Sequence, residues 1–450
     1  MLCYQKGLTL STLVGCKYSK YAGFLLLTPA SRKAQIWKAF DNVCISSPGA
    51  KMNIQLREKN NNGVPILTEK SVNCINLGSY NYLGFADDWA STCQDRVMET
   101  LHEFGSGCYA SALEGGTTSV TRDLELAIAS FVGKEDAVVF GQGYGTNQSA
   151  IPALLGKGSL IISDTLNHTS IVNGSRASGA TIRVFRHNDV KNLEEVLKLA
   201  VVTGQPLTNR PWRKIIVMVE GIYSMEGELC ELREVVDVAK KYKAYIYVDE
   251  AHSIGALGAT GRGICESAGV DPSEIDILMG TFTKSFGAMG GYCAASKEIV
   301  NYLRVHSSGS FFTSGMSPVV AQQIITSLRI IKGEDGSDIG KTKLTDIRNN
   351  SNYLRRALVD MGCEVLGDDG SPVIIIMLYI PSKLAMFHQL CLERGLATVV
   401  VGFPACALNQ TRARLCVSAA HSRKDMEYCV QQFKEVSSIL QLKYCKRSFG

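Results

Sequence analysis

Short apolar runs, each closed by a polar or glycine-marked turn, recur through the middle of the chain. Leu160–Ile162, Ile182–Phe185, Ile215–Val219, Ala244–Val248 and Asp276–Met279 have the length and β-branched content of buried strands. Ala137–Phe140 precedes them and Gly291–Ala295 follows close behind. Between the strands, Ser170–Ala177, Leu193–Ala200 and Leu232–Tyr242 place apolar residues at helical spacing. That alternation predicts an α/β protein with a mostly parallel central sheet and helices on both faces. Upstream, Leu124, Ile128 and Phe131 mark a helix over about Arg122–Val132. The strand Ala137–Phe140, the loop Gly141-Gln-Gly-Tyr-Gly-Thr-Asn147 and a helix from Gln148 to Leu155 then complete a strand–loop–helix unit.

The two ends read differently. Residues 1–50 have weak periodicity and mixed basic and apolar character, as in a weakly ordered or partly helical lead-in. Lys51–Val72 is polar, with a turn at Asn60–Gly63 and a short strand predicted at Asn73–Leu77. The loop Gly78-Ser-Tyr-Asn-Tyr-Leu-Gly84 presents aromatic rings with polar tips, which suits a ligand pocket or plain packing. Near Ser317–Pro318 the pattern changes to a long helix over about Val319–Lys332 and a Gly/Asp-rich break at Gly333–Gly340. Helices at Asp346–Met361, Lys383–Arg394 and Ser422–Leu440, with strands at Val373–Tyr379 and Leu415–Ser418, then predict a smaller α+β unit. The expected organisation is a lead-in over 1–50, a large α/β domain over 51–330 and a small C-terminal α+β domain over 331–450.

Composition narrows the classes. At 450 residues, 46% hydrophobic and 20% charged, the chain has the balance of a globular protein with a large core. A net charge of +5 spread over this length makes no case for nucleic-acid binding. Fifteen cysteines are scattered in apolar runs without a CxxC pair, which favours buried reduced thiols over zinc or disulfides. No stretch reaches the roughly 18 apolar residues of a transmembrane helix. The nearest is Tyr21–Pro29, behind Lys17 and Lys20. It reads as a buried or frayed terminus, with a weak targeting element or interfacial anchor as the alternative.

The chemistry gathers at strand ends. The Ala244–Val248 run ends in Asp249, with His252 three residues on, and the Asp276–Met279 run feeds a Thr-rich turn carrying Lys284. Carboxyl ends of strands beside glycines are where an open α/β sheet builds its site. A buried carboxylate needs a cation, and the protonated ring nitrogen of a pyridine cofactor is one. Lys284, between Thr283 and Ser285 and ahead of Gly287, Gly290 and Gly291, is placed to hold an aldehyde cofactor as a Schiff base. His168 follows another strand, and Glu220-Gly-Ile-Tyr-Ser224 brings Ser224 to the same edge. Each of these residues alone has a structural reading, as a cap, a packed histidine or a surface lysine. Four compatible strand ends together favour the chemical one.

VEGIYSMEGELCEL, YKAYIYVDEAHSIGALGATGRG and MGTFTKSFGAMGGY resemble the α-oxoamine synthase family of fold-type I pyridoxal phosphate enzymes. Within that family GSYNYLGFA, the GQPLTNRPWRKI insert and TFTKSFG are most similar to the catalytic, second long-chain-base subunits of serine palmitoyltransferases, and the likeness runs from about Ser46 to Leu440. The resemblance implies pyridoxal 5'-phosphate as cofactor, with Lys284 as the Schiff-base lysine, Asp249 as the pyridinium partner and His168 stacked on the ring. It puts His252 and Ser224 on the phenolic-oxygen side, and Thr281 on the phosphate with the backbone of Gly143, Tyr144 and Gly145. Arg414 matches the arginine for the substrate carboxylate, and Asn81 is a further substrate-pocket candidate. Thr313 and Ser314 would reach a phosphate across a dimer interface. The implied reaction is a decarboxylative condensation of L-serine with palmitoyl-CoA to 3-ketodihydrosphingosine, the first step of sphingolipid synthesis. Lys284 would be the base, and His168 would also polarise the thioester carbonyl. The implied setting is a heterodimer with a first long-chain-base subunit, membrane-associated through that partner at the cytosolic face of the endoplasmic reticulum.

Two departures stand out. Relatives carry a histidine where this chain reads Gly116-Thr-Thr-Ser-Val-Thr121, and Met1–Gln35 resembles no familiar segment. Three rival readings follow: a sibling synthase using another amino acid or acyl-CoA, a non-catalytic scaffold subunit of the same fold, and a dinucleotide enzyme. Lys284 argues against the scaffold. Gly141-Gln-Gly-Tyr-Gly145 lacks the GxGxxG spacing and the following acid of the dinucleotide enzyme.

Overall fold

The computed structural model describes residues 43–60 and 65–444. The expectations for Tyr21–Pro29, for nearly all of the lead-in and for most of the Asn60–Gly63 turn lie outside the described residues. Near the start of the described chain are β1 (Val43–Cys44), β2 (Lys51–Lys59) and β3 (Pro65–Asn76). β2 and β3 pair antiparallel, and β3 also pairs in parallel with a short late strand, β13 (Leu396–Ala397). The strand expected at Asn73–Leu77 is therefore much longer. Most of its residues are half-buried or exposed, so hydrophobicity marks only its end.

The central sheet has seven strands: β4 (Asp136–Phe140), β5 (Ser159–Asp164), β6 (Thr181–Phe185), β7 (Lys214–Glu220), β8 (Tyr245–Asp249), β9 (Ile277–Thr281) and β10 (Gly291–Ala295). Their order is β4-β10-β9-β8-β7-β5-β6, and only β10 runs antiparallel to its neighbours. Period-two alternation explains why such short runs hold the centre. Along β7, Val217 and Val219 join the core on one face while Ile216 and Met218 join the core on the other. β8 does the same with Ile246 and Val248 against Tyr247. A sheet buried on both faces needs apolar residues at every position, which is the continuous pattern in the sequence.

The helices that cover the sheet include α1 (Gln94–Phe104), α2 (Ser119–Val132), α3 (Gly143–Leu154), α4 (Thr169–Ser178), α5 (Val190–Thr203), α6 (Leu232–Lys241), α7 (Lys297–His306) and α8 (Pro318–Ile331). A second antiparallel sheet, β11 (Val365–Leu366), β12 (Val373–Tyr379), β15 (Thr411–Cys416) and β14 (Val399–Val401), packs with α9 (Ile339–Asp360), α10 (Pro381–Leu392) and α11 (Arg423–Leu440) around its own core.

Two helices begin well before their predicted starts. α3 starts at Gly143 rather than Gln148, so the glycines expected in a loop form its first turn. α9 starts at Ile339, inside the expected Gly/Asp break. A Cβ on Gly340 would lie 2.1 Å from the Ile330 carbonyl oxygen. That glycine permits a close helix crossing and does not end the helix.

Candidate active site

Parallel pairing in register sets the site. β7 and β8 pair Glu220 with Asp249, so two carboxylates reach the carboxyl edge side by side, and Lys284 follows in the turn after β9. These residues line a cavity of about 360 Å³ with Tyr80, His168, Ser224, His252, Thr281 and Arg414. With Gly143 and Tyr144, residues from seven separate stretches of sequence meet there.

Asp249 is buried and fixed by two donors, the Asn147 amide at 2.8 Å and the Ala251 N–H at 2.9 Å. Asn147 is itself held, since it donates to Ser170 Oγ at 2.9 Å and accepts from the Tyr247 hydroxyl at 2.7 Å. Neutral donors orient the carboxylate without cancelling its charge, so Asp249 still calls for a cation. Burial pulls the Lys284 amine down to about 8, against the opposing pull of Asp249 and Glu220. An amine so placed is partly neutral near physiological pH. Its Nζ lies 5.6 Å from the centre of the Tyr80 ring.

His168 caps α4, where its Nδ1 meets Ser170 Oγ at 2.7 Å, and burial lowers its pKa. Its main-chain N–H donates to Glu220. Burial, then the charge of Asp249, pushes the Glu220 carboxyl well above the usual carboxylate range. His252 is buried, with Nδ1 2.7 Å from the Tyr82 hydroxyl, and burial with the charge of Lys284 holds it well below its usual value.

Arg414 comes from the other sheet, on β15 opposite Ile375. Its guanidinium stacks 4.8 Å from the Tyr80 ring centre, and its Nε is buried without a hydrogen-bond partner among the described residues. A buried guanidinium with an idle donor is prepared for an anion such as a carboxylate. At the other end, α3 directs its first N–H groups, from Gly143, Tyr144 and Gly145, towards the same edge. A Cβ on Gly143 would sit 2.9 Å from Thr281 Cγ2, so only glycine allows this helix end to approach Thr281.

Most of the predicted residues thus meet; Gly145, in the first turn of α3, is not in the cavity lining, and three others lie away from it. Asn81 turns to Asp87, to which its amide donates at 2.8 Å, and it does not line the cavity; its neighbour Tyr80 does. Loop turns place alternate side chains on different sides, which spacing alone does not reveal. Thr313 and Ser314 are also absent from the cavity lining; Ser314 forms an isolated bridge with Ser111. The Gly116–Thr121 segment likewise stays off the lining. A Cβ on Gly116 would lie 2.2 Å from the Ala110 carbonyl oxygen, so this segment is pressed against the backbone of the preceding turn. Sequence reasoning missed Asn147, Glu220 and Tyr80 as site residues. Glu220 carried a usable signal, since it closes an apolar run as Asp249 does.

Among the described residues no cluster of three His, Cys, Asp or Glu side chains could hold a metal, and no helix is long and apolar enough to cross a membrane. The described cysteines form no disulfide with one another.

Comparison with known proteins agrees with this geometry. Residues 72–433 match the family model described as aminotransferase class I and II. Long chain base biosynthesis protein 2b of Arabidopsis thaliana is 52% identical over 411 residues, covering 91% of this chain and 84% of that protein. Serine palmitoyltransferase 2 of Dictyostelium discoideum is 50% identical over 380 residues, covering 84% of this chain and 77% of that protein. A solved structure of SPT with its PLP internal aldimine superposes with a TM-score of 0.79 at 29% identity, covering 95% of this chain and 100% of that one. With its strand-end lysine, its buried aspartate and these relatives, the chain belongs to the aminotransferase class I and II family, in the branch of the serine palmitoyltransferase and long-chain-base subunits.

Proposed function

We propose that the chain is the catalytic subunit of a serine palmitoyltransferase, condensing L-serine with palmitoyl-CoA, and that the strand-end cavity is where it does so. The observation that carries the reading is the meeting of Lys284, Asp249 and Arg414 in one cavity, from β9, β8 and β15. The cavity suits pyridoxal phosphate. Asp249 would hold the ring nitrogen, His168 the ring face and His252 with Ser224 the phenolic oxygen. Thr281 and the N–H groups of Gly143–Gly145 would hold the phosphate. When bound, the cofactor supplies an electron sink for charge developing at the amino-acid Cα.

The chain's own groups do the rest. Arg414, with its idle Nε, binds the serine carboxylate and turns the Cα towards Lys284. Lys284, with a pKa near 8, takes the Cα proton on Nζ as a neutral amine. His168, neutral through burial, is placed to donate to the thioester carbonyl as charge develops there. Asp249, held by Asn147 and the Ala251 N–H, offers its carboxylate to a cation in the cavity.

A heterodimer with a first long-chain-base subunit is part of the reading, as is membrane association through that subunit at the cytosolic face of the endoplasmic reticulum. The face around the Ser111–Ser314 bridge supports a partner: Tyr109 and Phe312 are 86% and 81% exposed, with Leu113 and Phe311 beside them in sequence. Thr313 and Ser314 lie on that face.

The test is co-expression with a first subunit, wild type against Lys284→Ala, measuring ketosphinganine formation and visible absorbance of bound pyridoxal phosphate. Loss of both in the variant is expected. Full activity in the variant, or exclusive use of glycine by the wild type, would sink the assignment.

A further inference from the structure

Tyr82 has no part in the chemistry above, yet its side chain is fully enclosed beside the site. It is 0% exposed, and its main-chain carbonyl accepts from the Ala419 N–H at 2.8 Å. Among the described residues its hydroxyl has one hydrogen-bond partner, His252 Nδ1 at 2.7 Å. His252 is 5% exposed, lines the cavity and carries the Tyr80 ring edge-on at 5.3 Å.

A neutral imidazole bears one N–H, so the pair has two arrangements. If Nδ1 carried the proton and donated to Tyr82, the phenolic hydrogen would be left in a sealed site without an acceptor. If Tyr82 donates to Nδ1, every polar hydrogen of the pair is satisfied or available, and the imidazole proton resides on Nε2. Buried hydrogen-bonding groups are rarely left unmet, so the second arrangement is the stable one.

We propose that Tyr82 is a positioning residue that locks His252 in the Nε2–H tautomer, so that the ring offers a ligand oxygen in the cavity a neutral donor. The inference rests on the reading that pyridoxal phosphate occupies this cavity only for the identity of that oxygen. The tautomer itself is a property of the chain. The imidazole is kept neutral by its burial and by the Lys284 charge, and the phenol is kept protonated by its own burial. Tyr82 therefore acts through His252, as outer partners of ligating histidines do when they fix a ring nitrogen.

The experiment uses the full chain with its partner, labelled with ¹⁵N-imidazole histidine, without and with pyridoxal phosphate. With seven histidines in the chain, a His252→Gln sample identifies the resonance. The wild type without cofactor should show a neutral ring protonated at Nε2. Tyr82→Phe keeps the ring volume and removes the hydroxyl, so the resonance should move to a mixture of tautomers. Pyridoxal phosphate affinity should weaken by about tenfold, the scale on which such outer partners act. A proton on Nδ1 in the wild type, an imidazolium, or an unchanged tautomer in Tyr82→Phe would each overturn the proposal. The wild-type spectrum decides even if the variant does not fold. Failure of the wild type to bind pyridoxal phosphate would count against the functional reading alone, because the tautomer is read without the cofactor.

Discussion

Two pairs of buried carboxylates sit around the same central sheet and are treated in opposite ways. Near the amino end of β4, Asp136 meets Arg304 through two hydrogen bonds of 2.7 and 3.1 Å, and Arg304 also donates to Glu125 at 2.9 Å. Arg122 closes the group with ion pairs to both acids. Burial would raise the Asp136 carboxyl, but the Arg304 hydrogen bond and charge outweigh it and hold it below its usual range. At the carboxyl edge, Asp249 and Glu220 are equally buried and, among the described residues, receive only neutral donors, and Glu220 is pushed well above the carboxylate range. Burial is shared; cationic partners are not. Fully paired charge serves the fold, while charge left wanting a partner marks the place where a ligand is to complete it.

Four measurements would break or sharpen that contrast. The largest effect belongs to the reactive edge: Lys284→Ala should lower turnover by at least about 10³-fold. The variant's urea midpoint should stay near wild type, and a large loss of stability would show that Lys284 serves the fold as well. Next, Arg304→Leu should cost about 3 kcal/mol of stability by leaving two buried acids uncompensated. Chemical denaturation would show it, with pyridoxal phosphate affinity of the folded protein unchanged. A shift in that affinity would break the separation of the two edges.

His187 offers a third test, since its two nitrogens meet Asp164 at 3.0 Å and Glu228 at 3.1 Å. Burial lowers its pKa, but hydrogen bonds to these acids raise it to about 10 from an ordinary value of 6.5. A raised folded-state value means stability fully present below pH 6.5 and lost as pH climbs through about 10. His187→Gln should therefore cost about 2 kcal/mol at pH 6 and much less at pH 10.5, as denaturation at the two pH values would show. A gap independent of pH would mean that the imidazole is neutral in the fold.

The smallest effect is kinetic. The neutral fraction of an amine with a pKa near 8 rises tenfold per pH unit below that value. Uptake of pyridoxal phosphate by the apo chain should follow that slope and level off above pH 8. A rise continuing to pH 10 would place Lys284 in a water-like setting.

Much of the fold was legible in the sequence because a sheet buried on both faces leaves an unmistakable mark. β7 and β10 stand within a residue of their expected bounds for that reason. β3 was harder to see, since a partly solvated strand carries polar residues at most positions. Lys284, Asp249, His168, His252, Ser224 and Arg414 could be named from strand ends and motifs, and the structure brings all six to one cavity. Asn81 could not be resolved that way, because the side of a loop on which a residue falls depends on dihedral angles that no periodicity records.

The sequence by itself determined the alternation of strands and helices, and it placed an aspartate, two histidines and a lysine at strand ends. Tertiary structure alone decided which of these groups find partners. The register that sets Glu220 beside Asp249 joins residues far apart in the chain, as does the fold that carries Arg414 to Tyr80 and Tyr82 to His252. Protonation follows from burial and from neighbours across such distances. The reactive state of the strand-end residues around Val248–Gly291 is therefore a property of the assembled edge.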